Sequence, residues 1–376
     1  MTTWSLNSLP REIIVDILSR LPVESLMRFK CVSGSWNTLI SSCYFRTKHL
    51  NIASRNQNLQ KLLISQISYK DGEANTSISF SSLSLNIQVV RKLDCPLNYE
   101  PKYGRIYCCC DGLFLVGLQN TPKRDPSILL LWNPSTRETI VLPHSDYSTV
   151  DRNRYTFGLG FDSSSNDYKV LKVNNEDDTL NEILSVKSGS WRKLANKSCR
   201  NNVSCLFMHM DLAFVHGAFH WLGRIQLPEF IVISFNISNE TYRDEPLPEP
   251  MCLTMTVRES VVSVLKGMLC VYSTYHDGST FNLWVMKLYG VKESWSKMLT
   301  IPAIGVPLTI PKYIFADGEV LLCCEYSERT VFRTSKGPFI EWPDLVRDDI
   351  NEDSILDVYV YTQSLMSPKA ITNKLR

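Results

Sequence analysis

Tight-turn signals recur along most of this chain at a spacing of about fifty residues, and no other feature restricts its fold as strongly. Cys110-Asp111-Gly112, Ser165-Asn166-Asp167, His216-Gly217-Ala218, Lys266-Gly267-Met268 and Asp317-Gly318-Glu319 each sit between short apolar, strand-like runs. Anchored at residues 112, 167, 217, 267 and 318, the steps are 55, 50, 50 and 51. A second turn follows each one: Asn133-Pro134-Ser135-Thr136, Lys187-Ser188-Gly189-Ser190, Asn236-Ile237-Ser238-Asn239, Tyr289-Gly290-Val291-Lys292 and Thr334-Ser335-Lys336-Gly337. Two hairpins per unit make four strands, the size of one propeller blade. Five units fall between about 100 and 345. A weaker one around Lys61–Val90, with Asp71-Gly72 as its turn, makes a sixth, and the alternating tail Ile355–Tyr361 reads as a strand that closes the ring. A β-sandwich also shows many short strands but needs no even period. The expectation is an all-β domain, a kelch-like β-propeller of about six irregular blades.

The first fifty residues have a different texture. Pro10 suits the first position of a helix and Glu12 its positive end. Ile13, Ile14, Ile17, Leu18 and Leu21 then follow at helical spacing as one apolar stripe. Pro22 stops that helix and starts another, in which Leu26 and Phe29 face inward. Val32, Trp36, Leu39 and Ile40 continue as a third, and residues 41–50 supply one more short helix. Helices this short carry too little core to stand alone and need a staple or a partner.

Leu9-Pro10-x-Glu12-Ile13, Ile17-Leu18-x-Arg20-Leu21-Pro22-Val23, Ser25-Leu26, Phe29, Val32 and Trp36-x-x-Leu39-Ile40 together resemble the F-box. The resemblance implies a module that docks on a Skp-family adaptor and so joins a cullin and a RING protein in a ubiquitin ligase. It assigns Leu9, Pro10, Ile13, Leu18, Leu21, Pro22, Leu26, Val32 and Trp36 to docking or to supporting the interface. One departure is Gly34, where the family has a basic residue; in a helix interior glycine costs about 1 kcal/mol. A second resemblance covers residues 95–365. Leu131-Trp132-Asn133-Pro134-Ser135-Thr136-Arg137, Gly158-x-Gly160-Phe161-Asp162 with Asp167-Tyr168-Lys169-Val170, and Leu283-Trp284-Val285-Met286 with Glu293-Ser294-Trp295 are similar to the F-box-associated interaction domain of plant F-box proteins. The ending Tyr361-Thr362-Gln363-Ser364-Leu365 is shared with that family, including its S-locus branch. The implied organisation is a helical module over 1–50, a connecting segment with a weak first blade over 51–95, the β domain over 96–365 and a tail over 366–376.

Forty Lys+Arg against thirty-eight Asp+Glu leave a net charge of +2, which argues against holding nucleic acid or an anionic membrane. No run approaches the ~20 apolar residues that span a bilayer, and the first ten residues do not read as a signal peptide. A cytoplasmic or nuclear protein is expected. The twelve cysteines include no C-x-x-C pair. Cys108-Cys109-Cys110 and Cys323-Cys324 lie in strand-like sequence, where neighbours point to opposite faces and cannot converge on one metal. Reduced, mostly buried thiols follow, and the sequons at Asn75, Asn196, Asn202, Asn236 and Asn239 read as chance matches. His216-x₃-His220 lacks a third ligand, Gly158-x-Gly160 lacks the third glycine of a dinucleotide loop, and no nucleophile elbow is present. Asp177-Asp178 and Asp348-Asp349 read as solvated loop charges. No cofactor, metal or catalytic residue is expected.

The sequence thus points to a non-catalytic substrate receptor of an SCF-type ubiquitin ligase, with an unidentified protein target. The target is expected on loops at one rim of the ring, drawn from 119–127, 144–154, 174–181, 223–229 and 273–280. A non-degradative scaffold and a propeller enzyme are the rival readings.

Overall fold

The computed structural model describes residues 10–70, 75–85, 90–97, 103–119, 128–145, 155–174, 181–194, 204–205, 212–226, 229–247, 251, 260–274, 280–302, 308–325, 329–335, 337–341 and 353–372. Four helices come first: α1 (Arg11–Leu18), α2 (Val23–Phe29), α3 (Gly34–Ser41) and α4 (Cys43–Ala53). A single 3-10 turn, Gln57–Leu59, leads into strands.

The described strands form six antiparallel sheets. Sheet 1 begins with β1 (Gln60–Lys70), β2 (Asn75–Ser84) and β3 (Val90–Leu93). Sheet 2 holds β4 (Tyr103–Cys110), β5 (Leu113–Gln119), β6 (Ile128–Asn133) and β7 (Glu138–Val141). Sheet 3 holds β8 (Tyr155–Asp162), β9 (Asp167–Asn174), β10 (Glu182–Ser185) and β11 (Ser190–Lys193). In sheet 4, β12 (Ser204–Cys205) and β13 (Ala213–Val215) both pair with β14 (Ala218–Gln226), followed by β15 (Glu229–Asn236) and β16 (Tyr242–Pro246). Sheet 5 holds β17 (Ser260–Leu265), β18 (Met268–Thr274), β19 (Thr280–Met286) and β20 (Trp295–Pro302). Sheet 6 holds β21 (Leu308–Ile314), β22 (Val320–Glu325), β23 (Arg329–Ser335) and β24 (Gly337–Glu341). The chain then returns: β25 (Asp353–Thr362) pairs with β1, placing Tyr359 opposite Leu63 and Val358 opposite Ile64, and a last turn of helix, α5 (Pro368–Ile371), ends the fold.

Contacts between strands close the six sheets into a ring. β25 touches β4, β4 touches β8, β8 touches β13, β14 touches β17, β17 touches β21, and β21 touches β25. Each neighbouring pair of sheets shares one apolar core. Leu115 and Leu131 meet Leu159 and Val170 between sheets 2 and 3, whereas the next residue along, Leu171, packs with Phe219 and Ile233 between sheets 3 and 4. Leu63 and Tyr361 meet Phe114 and Val116 between sheets 1 and 2. Every sheet is therefore covered on both faces. Runs such as Leu113–Leu118 are apolar throughout because both faces are buried.

The fifty-residue anchors are the hairpins that join the first strand of a sheet to the second. Asp111-Gly112, His216-Gly217 and Lys266-Gly267 all have positive φ at both positions, the type I′ geometry that matches strand twist. Sheet 1 departs from the expected weak first unit. Asp71-Gly72 lies outside the described residues, and the β1–β2 connection joins the second and third strands, because the innermost strand comes from the far end of the chain. Five sheets are consecutive runs and one is composite.

The cysteine triplet behaves as its strand requires. Cys108 and Cys110 pack towards sheet 3, and Cys109 packs on the core shared with sheet 1. Burial raises the Cys109 and Cys110 thiols, so both stay protonated.

Candidate docking surface on the helical head

The described part of the head starts at Pro10, whose φ of −53° and ψ of 142° place it at the N-cap of α1 rather than at the first helical position expected for it. Ser33 and Ser42 cap α3 and α4, their hydroxyls accepting from the Trp36 and Phe45 amides, each at 3.2 Å. Gly34 is the first residue of α3 and a Cβ there would meet nothing within 4 Å. The penalty expected for a glycine in a helix interior does not apply at this position. Phe29 and Trp36 pack edge to face at 5.4 Å. Buried His49 binds the Leu21 carbonyl at 3.0 Å; a carbonyl only accepts, so Nε2 carries the proton, and burial lowers the imidazole pKa.

The core of this head is Val15, Leu18, Val23, Leu26, Leu39, Ile40 and Phe45, and it is completed by Leu365 from the far end of the chain. The missing staple is thus supplied in part by the protein's own tail. Around it, Gln363 Nε2 and Lys61 Nζ both donate to Glu24 Oε1 at 2.9 Å. Burial alone would raise the Glu24 carboxyl, but these two donors bring it down to about 2. Asn133 Nδ2 donates to the Ser364 carbonyl at 3.0 Å and the Met366 carbonyl at 2.7 Å, and Ser367 donates to Glu138. Gly112, with φ of +76°, passes so close that a Cβ would lie 2.6 Å from the Thr362 carbonyl oxygen.

With its core filled, the head still exposes apolar side chains. Ile13 is 47% exposed, Ile17 51% and Val32 65%. Ile13 and Ile17 are four residues apart and form one ridge on α1. They were expected on a single apolar stripe with Leu18, and the structure divides that stripe between core and surface. At about 100° per residue, the apolar positions of α1 cover an arc of roughly 200°. Val15 and Leu18 hold the buried side of it, Ile14 is half-buried, and Ile13 and Ile17 face outward. An apolar arc wider than the face that the head's own core covers needs a second cover.

The sequence-derived set divides accordingly. Pro10, Ile13, Pro22 and Val32 are exposed, Leu21 and Trp36 are half-buried, and Leu18 and Leu26 are buried in the head's own core. Leu9 lies outside the described residues. Ile17 and Tyr44, both exposed, belong with the first group and were not assigned to it from sequence. For Ile17 the arc around α1 already carried the signal; for Tyr44 nothing in the pattern did.

Among the described residues the attachments between head and ring gather at one rim: Glu24 binds Lys61 at the start of β1 and Gln363 just past β25, Asn133 and Glu138 at the β6–β7 turn hold the tail, and the β4–β5 turn passes against Thr362. In an antiparallel sheet of four strands, the first and third hairpins share an edge and the second hairpin lies on the other. Gln119, Ile128, Asn174, Thr274 and Thr280 therefore end at the rim away from the head. The segments 119–127, 144–154, 174–181 and 273–280 fall largely outside the described residues, whereas 223–229 is described except for 227–228 and spans the end of β14 and the start of β15.

Elsewhere the tempting chemistry resolves into packing. His220 is buried, its Nδ1 bonded to the Ala213 carbonyl at 3.2 Å and its Nε2 to the Tyr289 hydroxyl at 2.8 Å. Burial pushes it down to about 4, so it stays neutral. His216 packs on the same tyrosine, tilted by 34°, with ring centres 4.5 Å apart. Asp162 collects Lys169 at 2.7 Å and the hydroxyls of Ser164, Ser165 and Ser238, which tie two neighbouring sheets together. Asp177-Asp178 and Asp348-Asp349 lie outside the described residues. Among the described residues no three His, Cys, Asp or Glu side chains are grouped to hold a metal.

Comparison with known proteins agrees with this division. A model of the F-box domain matches residues 6–48, and a model of the F-box associated beta propeller domain matches residues 63–367. The Arabidopsis thaliana F-box/kelch-repeat protein At3g23880 is 30% identical over 371 residues, covering 97% of both chains. The F-box protein CPR1 of the same plant is 27% identical over 321 residues, covering 78% of this chain and 71% of its own. The propeller match alone spans most of the sequence and the helical match takes in the head, so the chain belongs to the F-box proteins that carry an F-box-associated β-propeller domain.

Proposed function

We propose that this protein is the substrate-recognition subunit of an SCF-type cullin–RING ubiquitin ligase. The observation that carries the reading is the apolar ridge of Ile13 and Ile17, left exposed with Val32 on a head whose own core is already filled. Helices of a Skp-family adaptor are the cover that such a ridge fits, in the manner of an apolar helix face laid into a groove. The adaptor in turn brings a cullin and a RING protein. The ring binds a protein target at the rim away from the head, and the target lysine is held near the ubiquitin thioester. Proximity then supplies the rate, since two docking events make the transfer effectively intramolecular. No residue of this chain takes part in covalent chemistry, and the complex works in the cytoplasm or nucleus. We read the composite sheet as a blade like the other five, giving six; four strands per sheet and the kelch-repeat name of a relative support a kelch-like description.

A co-expression pull-down with a plant Skp adaptor tests the first step. Wild type is expected to capture the adaptor, and Ile13→Glu/Ile17→Glu to lose it while keeping its far-ultraviolet spectrum and melting temperature. The Leu9→Ala/Pro10→Ala pair is expected to weaken capture as well, with Trp36→Ala as the control for helix packing. Absence of binding by wild type sinks the ligase reading. Capture of the adaptor with no change in the half-life of any co-purified partner, on removing the protein from plant cells, would instead mark a non-degradative scaffold.

A further inference from the structure

We infer that the junction between head and ring is a binding site for a small, multiply charged anion of the phosphate class. A cavity of about 360 Å³ opens there, between the end of α4, the 3-10 turn and three inner strands, β17, β21 and β25. It therefore lies at the mouth of the ring on the side covered by the head. Three cations line it from three different elements: Arg55 just after α4, Lys266 at the β17–β18 hairpin tip and Lys312 on β21. Among the described residues its lining contains no Asp or Glu.

These cations are placed, and they are not neutralised. Lys266 takes a left-handed backbone with φ of +48°, uncommon for a residue with a side chain, and its Nζ donates to the Phe315 carbonyl at 3.1 Å. The Lys312 ammonium lies 4.7 Å from the centre of the Tyr359 ring. None of the three is ion-paired among the described residues. Two neutral polar residues, Tyr313 and Gln57, line the same cavity. Like charges gathered without a carboxylate raise one another's energy, and a bound anion relieves that cost. A chain with a net charge of only +2 does not produce such a cluster as part of a generally basic surface.

Size and valence narrow the ligand. The volume is at the small end of small-molecule pockets and excludes a polymer. Donors on three elements need an anion with several charged oxygens pointing in several directions, which a phosphate chain or a polyphosphorylated metabolite has and a simple carboxylate lacks. Bound there, it would bridge Arg55 of the head and the lysines of the ring, stiffening the junction between them.

The test uses the full-length chain and tripolyphosphate as the probe, by calorimetric titration and thermal unfolding at fixed ionic strength. Saturable one-site binding is expected, with a melting temperature that climbs as the probe concentration rises. Arg55→Gln, Lys266→Gln and Lys312→Gln should each weaken binding tenfold or more. Tyr313→Phe, which removes one hydroxyl and keeps the ring, should weaken it several-fold. Lys297→Gln, on β20 away from the cavity, should leave it unchanged. Orthophosphate should bind at least tenfold more weakly than tripolyphosphate. Absence of saturable binding overturns the site, as does an equal loss in Lys297→Gln, and equal affinity for orthophosphate overturns the multiply charged ligand. No adaptor is present in this assay, so its result is independent of the ligase reading.

Discussion

A Cβ built on Gly160 would lie 2.4 Å from the Phe214 ring, and one on Gly158 would lie 2.7 Å from Phe219. Both glycines sit on β8, where sheet 4 presses its aromatic side chains against sheet 3. Gly160→Ala should therefore cost about 1–3 kcal/mol as an overpacked core, seen as a lower urea midpoint at an unchanged slope. Gly34→Ala is the contrast: open space and a first helical position predict no loss, or a gain of up to about 1 kcal/mol. The sequence marked all three glycines, but their consequences depend on a neighbouring sheet or on a helix start that local pattern does not place. Glu24 adds a pH dependence at the same scale. Its carboxyl is depressed from 4.5 to about 2 in the fold, so the stability it supplies is present above about 4.5 and is lost as pH falls towards 2. The side chain is 39% exposed, and solvent screening reduces the contribution to about 1 kcal/mol. Glu24→Gln should lose that amount at pH 7, and chemical denaturation at stepped pH should show the gap from wild type closing between pH 4.5 and 2.

Among the elements, the segment after β25 has the largest effect for its length. Leu365 fills the core of a head that begins some 350 residues earlier, while Gln363, Ser364 and Met366 bind Glu24 and Asn133. The ending Tyr361–Leu365 was recognisable from sequence; its partner was not, because nothing within the segment says which helices it meets. The same limit explains α1. Its apolar arc was legible, but dividing the arc between own core and outer ridge required knowing that Val15 and Leu18 face Leu365. Leu365→Ala should cost about 2–4 kcal/mol, the range for emptying a buried leucine site. The loss should be local at first: hydrogen exchange should speed up in α1 and α2 while β5, β9 and β18 stay protected. Uniform acceleration across the ring would show that head and ring unfold as one unit and that the head has no separate stability.

At the level of the whole molecule, closure rests on β25. The fifty-residue period carried the strands of sheets 2 to 6, and the alternating tail Ile355–Tyr361 read correctly as a closing strand; what the pattern could not reveal is that this strand becomes the inner strand of sheet 1, beside β1. That pairing separates residues by some 300 positions, as in Leu63 opposite Tyr359. Removing β25 strips Val358 and Tyr361 from two inter-sheet cores at once and takes Leu365 and Gln363 from the head. A chain ending at residue 341 should therefore lose its single cooperative melt and expose the edge of β1 to self-association. Ring closure and head support can be separated by adding the missing piece back. A 353–367 peptide supplies the inner strand and the leucine together, and should restore cooperative melting by strand addition. The same peptide carrying Leu365→Ala should restore the ring but not the exchange protection of α1. If the truncated chain melts cooperatively within a few degrees of the full one, β25 is an accessory strand and the ring is held by its five consecutive sheets alone.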